Sequence, residues 1–209
     1  AQSVTPIAKS SSSVLTKSSR VKRICVNCGS SEGKNPAYRQ AAHSLGNELA
    51  KRNIGLVYGG ARVGLMGAIA DAVLAAGGEV IGIITRDLDD IVGHENLTSL
   101  EIVDTMHDRK RRFADLSDGY IAMPGGFGTL EEIFEAITWN QLHIQERPTG
   151  LLNTAGYFDA LFAFLDHAAQ EGMIREEHRQ SVLVASQPDQ LINQMATYRY
   201  PNVGKWVKQ

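Results

Sequence analysis

From residue 22 onward, short runs rich in β-branched residues alternate with longer stretches in which apolar positions recur at i, i+3 and i+4. The short runs, at 23–27, 54–58, 79–84, 100–103, 119–123, 150–153 and 181–185, predict strands. The longer stretches, at 36–52, 65–76, 105–116, 130–142, 157–171 and 188–198, predict helices. Leu65, Ile69, Ala72, Val73 and Ala76 form one such apolar stripe. Strands alternating with helices imply βαβ units. The expected fold is therefore α/β: a single doubly wound, Rossmann-like domain with a mostly parallel sheet flanked by helices. Its ligand is expected beyond the carboxyl ends of the strands. No internal repeat or mid-chain linker interrupts the pattern.

Composition narrows the class without changing that picture. A chain of 209 residues, 43% hydrophobic and 21% charged, suits one soluble domain with one core. A formal charge of −2 gives no steering toward DNA, so no nucleic-acid partner is expected. No run approaches the roughly 18 apolar residues of a membrane span. Two cysteines make neither a disulfide framework nor a four-thiolate site, and a reducing cytoplasm is the default. Residues 1–31 carry five cations and no acid, and the first 20 are Ser-rich. Residues 1–20 are expected to form a flexible tail on a domain spanning 21–209. The same composition also suits an organelle transit peptide.

Three predicted strand-to-helix junctions are rich in glycine or serine: Cys28-Gly29-Ser30-Ser31, Gly59-Gly60-Ala61-Arg62-Val63-Gly64 and Pro124-Gly125-Gly126-Phe127-Gly128-Thr129. All three fall on one sheet edge. Glycine lets the backbone approach a ligand closely, and a helix N-terminus presents free N–H groups, so these junctions suit phosphate. Gly64 is followed by Leu65 and Met66, not by Lys and Ser or Thr, which excludes a Walker loop. The first junction lacks the three spaced glycines of a dinucleotide fingerprint.

Two readings of the third junction stay open. Thr129-Leu130-Glu131-Glu132 fits a capping box, in which Thr129 and Glu132 satisfy orphan amides of their own helix. Glu132 is equally a carboxylate placed beside an anion site. Arg109 and Lys110, in Met106-His107-Asp108-Arg109-Lys110, open the preceding helix, where a cation opposes the dipole. A carboxylate or ligand partner would explain them better than a solvated basic face. Cys25-Val26-Asn27-Cys28 has redox-motif spacing but ends a strand, and the six histidines show no metal-ligand spacing.

Pro124-Gly125-Gly126-Phe127-Gly128-Thr129-Leu130-Glu131-Glu132 and Met106-His107-Asp108-Arg109-Lys110 together resemble the paired PGGxGTxxE and MHxRK motifs of the Lonely Guy (LOG) phosphoribohydrolases. The resemblance extends over residues 22 to about 198. It implies hydrolysis of the N-glycosidic bond of an N6-substituted adenosine 5′-monophosphate, giving the free base and ribose 5-phosphate without metal or cofactor. It implies Arg109 and Glu132 as the catalytic pair, and Gly125, Gly126, Gly128 and Thr129 around phosphate and ribose. Lys110, Ser30, Ser31, Gly59, Gly60, Met106, Thr138 and Asp90 complete the expected substrate-binding set. A homodimer with its site near the subunit interface is also implied.

Two departures stand out. Ile91 replaces a glutamate common in the family, with Asp90 beside it, and Ala61-Arg62 replaces a third glycine, implying a different turn or an extra anion contact. The rival readings are an AMP or purine nucleotide nucleosidase and a noncatalytic nucleotide carrier. The lysine decarboxylase label attached to some members finds no pyridoxal-phosphate lysine site in these motifs.

Overall fold

The computed structural model describes residues 21–201, so the tail expected over 1–20 lies outside the described residues, as do positions 202–209 of the expected domain. Seven strands, β1 (Arg23–Asn27), β2 (Gly55–Tyr58), β3 (Val80–Thr85), β4 (Ser99–Val103), β5 (Gly119–Ala122), β6 (Thr149–Leu152) and β7 (Val182–Ala185), form one sheet in the order β4-β3-β2-β1-β5-β6-β7. Every neighbouring pair is parallel. Each lies within a residue of its expected position; in the central strands an unbroken apolar run marks burial on both faces, whereas the edge strand β4 has no buried residue.

Helices α1 (Pro36–Lys51), α2 (Gly64–Ala75), α3 (Arg86–Val92), α4 (Met106–Leu116), α5 (Phe127–Gln141), α6 (Asp159–Gln170), α7 (Glu176–Gln180) and α8 (Pro188–Thr197) complete the domain. Asn35 starts α1 by accepting the Ala37 N–H at 3.0 Å, with Pro36 at the first helical position. Thr105 starts α4 in the same way through Asp108 N. Alternation along β1 then feeds two cores. Ile24 and Val26 pack with Leu45, Ile69 and Leu191 of α1, α2 and α8, whereas Cys25 packs with Phe113, Ile133 and Phe158 on the other face.

Four differences from the sequence expectation matter. Helix α5 begins at Phe127 rather than 130, because Gly126 adopts extended backbone (φ −95°, ψ −150°) and acts as the N-cap. Helix α3 was not expected: it buries none of its residues and so has no apolar stripe to read. Helix α7 is five residues long with only His178 buried, too short for a period. Between β6 and α6 lies a tight turn, Thr154–Gly156, and the helix starts at Asp159 rather than 157.

The chain runs outward from β1 to β4, then returns to place β5 on the other side of β1. The winding thus reverses between β1 and β5, opening a crevice at their carboxyl ends. Asn27 and Ala122, the last residues of those strands, are in register there.

Candidate active site

The three glycine-rich junctions meet at this crevice. The Gly29 amide donates to Pro124 O at 3.0 Å, and the Leu65 amide donates to Gly29 O at 3.0 Å. Gly64, at φ +58°, has no room for a side chain: a Cβ there would come within 2.3 Å of the Ser30 backbone. Ser30, Ser31, Tyr38, Gly125, Gly126 and Tyr157 line a cleft of about 290 Å³ between the first and third junctions.

The capping-box reading fails on geometry. Thr129 sits in the first turn of α5 rather than before it, and Glu132 lies in the second turn. Gly126 offers no side chain to cap the helix, so its first amides lack the usual capping oxygen. Thr129 is buried against Gly125, where a Cβ would lie 2.1 Å from Thr129 Oγ1.

Glu132 instead reaches into the crevice. Arg109 Nη1 donates to its Oε1 at 3.1 Å, and Asn27 Nδ2 donates to its Oε2 at 2.5 Å. Arg109 is only 7% exposed. Its other donors are spent on backbone, Nε on Ile83 O at 2.8 Å and Nη2 on Gly59 O at 3.1 Å. A Cβ at Gly59 would collide with Arg109 Nη2, which explains the glycine there. Arg109 thus clamps β2, β3, α4 and α5 together with its fork geometry. Burial pushes the Glu132 carboxyl above the usual carboxylate range, while Arg109 and then Asn27 pull it back in part.

Asn27 carries a role that sequence reasoning missed. One amide closing an otherwise apolar strand was the available signal, but only the register shows that it faces α5. Lys110 is beside the pair but turned outward, with Nζ donating to Glu131 at 2.6 Å and Glu135 at 2.9 Å. Both thiols are buried, and burial raises both, which makes poor nucleophiles of them. Among the described residues no group of three or more His, Cys, Asp or Glu side chains is arranged to hold a metal ion.

A family model described as "possible lysine decarboxylase" matches residues 66–195. The cytokinin riboside 5′-monophosphate phosphoribohydrolase LOG7 of Arabidopsis thaliana is 48% identical over 182 residues, 86% of this chain and 83% of that protein. A probable enzyme of the same description from Oryza sativa subsp. japonica, LOGL2, is also 48% identical, over 86% of this chain and 74% of its own length. The chain belongs to the LOG family. Solved structures of the same fold include a molybdenum cofactor binding protein from Rippkaea orientalis, 27% identical with a TM-score of 0.64 over 84% of this chain and 95% of that one. The molybdenum cofactor carrier protein of Chlamydomonas reinhardtii matches at 21% identity and a TM-score of 0.60, over 83% of this chain and 99% of its own.

The remaining expected site residues of this LOG-family chain lie on the second junction and on α3, α4 and α5. Gly60 turns the backbone at φ +74° next to Gly59. Gly126 and Gly128 are exposed at the start of α5, and Met106 is 44% exposed at the start of α4. Thr138 lies almost two turns beyond Glu132 and donates to Phe134 O of its own helix at 2.7 Å. Asp90 and Ile91 are exposed on α3. Arg62 resolves the altered turn: its Nη1 donates to Gly93 O at 2.8 Å and its Nη2 to Ile91 O at 3.1 Å. It ties the end of α3 to the second junction through backbone carbonyls.

Proposed function

We propose that this LOG-family chain hydrolyses the N-glycosidic bond of N6-substituted adenosine 5′-monophosphates, releasing the free base and ribose 5-phosphate. The observation that carries this reading is the Arg109–Glu132–Asn27 cluster beside the uncapped start of α5. The 5′-phosphate sits on the amides of Phe127, Gly128 and Thr129, whose free N–H groups and helix dipole favour an anion. Ser30, Ser31, Gly125 and Gly126 wall that site. Glu132 lies about 7 Å further along the helix axis, a reach that suits the sugar of a phosphate-anchored nucleotide.

Breaking the glycosidic bond builds positive charge on the ribose, which ionised Glu132 stabilises while it orients or deprotonates the attacking water. Each of its oxygens accepts one protein donor and keeps a lone pair for the reaction. Arg109 fixes the rotamer and opposes the protonation that burial favours. Phosphate binding remote from the reacting bond supplies positioning.

The Rippkaea orientalis protein offers the competing carrier reading, but at much lower identity than the hydrolases. A homodimer belongs to the same proposal, supported by exposed Leu88 and Ile91 on α3 and Ile102 on the edge strand β4. A cytoplasmic location is supported by the two free, buried thiols. No helix among the described residues is long and apolar enough to cross a membrane.

Incubation with N6-isopentenyladenosine 5′-monophosphate and with AMP, followed by detection of base and ribose 5-phosphate, tests the reaction. Release of both products in equal amounts is expected, faster from the N6-substituted nucleotide. Faster turnover of AMP would make the chain an AMP nucleosidase, and binding without cleavage would make it a carrier.

A further inference from the structure

We infer that Tyr157 is a positioning residue for the substrate phosphate, acting by fixing the orientation of the Gly125–Gly126 peptide. This rests on the reading that the 5′-phosphate binds at the start of α5. The Tyr157 hydroxyl donates to Gly125 O at 2.6 Å. In a trans peptide the carbonyl and the following N–H point in opposite directions. Holding the Gly125 carbonyl to one side therefore aims the Gly126 N–H to the other and keeps a partial negative charge away from an incoming anion.

The loop needs such a restraint. Two adjacent glycines are the least constrained pair of residues in a chain, and a Cβ at Gly126 would meet nothing within 4 Å. Thr129 and the Gly29 backbone pack closely on Gly125, but nothing packs on the Gly126 side of their shared peptide.

Tyr157, by contrast, is held from several sides. Its ring meets Phe158 edge-on at 4.9 Å and Tyr38 at 5.4 Å. The turn before it is pinned by Asn153, whose Oδ1 accepts the Phe158 amide at 2.8 Å and whose Nδ2 donates to Asp159 at 2.7 Å. Ala155 is held in the left-handed region at φ +52°, a conformation that a non-glycine residue adopts only where its surroundings impose it. The loop between β6 and α6 is thus a rigid mount that presents one hydroxyl to the phosphate loop.

The test is Tyr157→Phe, which keeps the ring contacts and removes the hydroxyl. AMP binding is measured by calorimetry in a Glu132→Gln background, where the nucleotide is not consumed, with and without the Tyr157 change. Steady-state KM and kcat for N6-isopentenyladenosine 5′-monophosphate are measured in the otherwise wild-type chain, and melting temperatures are recorded for all. The expected result is a loss of AMP affinity of about tenfold and a matching rise in KM, with kcat changed less than about threefold and melting within about 2 °C. Unchanged AMP affinity, or a fall in kcat at constant KM, overturns the inference. Because binding is read without turnover, AMP bound while the wild type cleaves neither nucleotide defeats the hydrolase reading alone. Neither nucleotide bound nor cleaved defeats both.

Discussion

Helices α4 and α5 are joined by ion pairs from two adjacent cations, Arg109 and Lys110, and the two cations are not equivalent. Arg109 with Glu132 faces inward, where the side chains are 8% and 15% exposed. Lys110 with Glu131 and Glu135 lies at the rim, where the Lys110 side chain is 16% exposed but those of Glu131 and Glu135 are 54% and 27% exposed. A one-residue step along each helix separates them. The inner pair is tied to Asn27 and to the carbonyls of Gly59 and Ile83, so every charge has a fixed partner. The outer cluster joins side chains only, and its carboxylates keep part of their contact with water. Charge patterning alone therefore says little, because burial and backbone partners decide which pair is consequential.

The largest effect that would break this comparison is expected at Arg109. Arg109→Ala leaves a buried carboxylate and two carbonyls without their donor, which costs about 3–5 kcal/mol and abolishes activity. Glu132 then loses the strongest influence pulling its pKa down. A carboxyl whose folded pKa lies above its unfolded value contributes stability below the unfolded pKa and loses it as pH rises through the folded one. Urea denaturation should therefore show a larger loss at pH 8 than at pH 5.

Asn27→Leu keeps the volume of the side chain and removes the second donor to Glu132. Since Asn27 lowers the Glu132 pKa, its loss raises it. The acid limb of the kcat profile should move to higher pH, with the alkaline limb unmoved. A shift toward lower pH would show that the amide does not act through the carboxylate. Lys110→Ala gives the smallest effect, a stability change of about 1 kcal/mol, because the carboxylates it leaves behind can still be hydrated and salt screens them. Denaturation midpoints at low and high salt check this.

How much of this was legible depended on whether the cause was local. The central strands were readable because both faces are buried, and α1 because Asn35 and Pro36 mark its start. The start of α5 was hidden, since Gly126-Phe127-Gly128 reads as turn while the backbone of Gly126 does the capping. Arg109 and Glu132 were visible as motif residues, but their contact needed α4 and α5 to be placed on one face. Asn27 and Tyr157 were opaque for the same reason: each acts on a residue more than 30 positions away, and no local pattern encodes such a pairing. Arg62 left a different turn and an extra anion contact both open, because its carbonyl partners lie at the end of α3, which buries none of its residues and left no apolar stripe to read.

The central claim is that Glu132 is placed for chemistry and not for capping its helix. Base release from N6-isopentenyladenosine 5′-monophosphate by wild type and Glu132→Gln, with melting temperatures alongside, tests it most directly. The account predicts that the substitution lowers kcat by about 10²–10⁴ while melting stays within a few degrees, because glutamine still accepts one of the two donors. A variant that melts normally and retains most of the wild-type rate would contradict it.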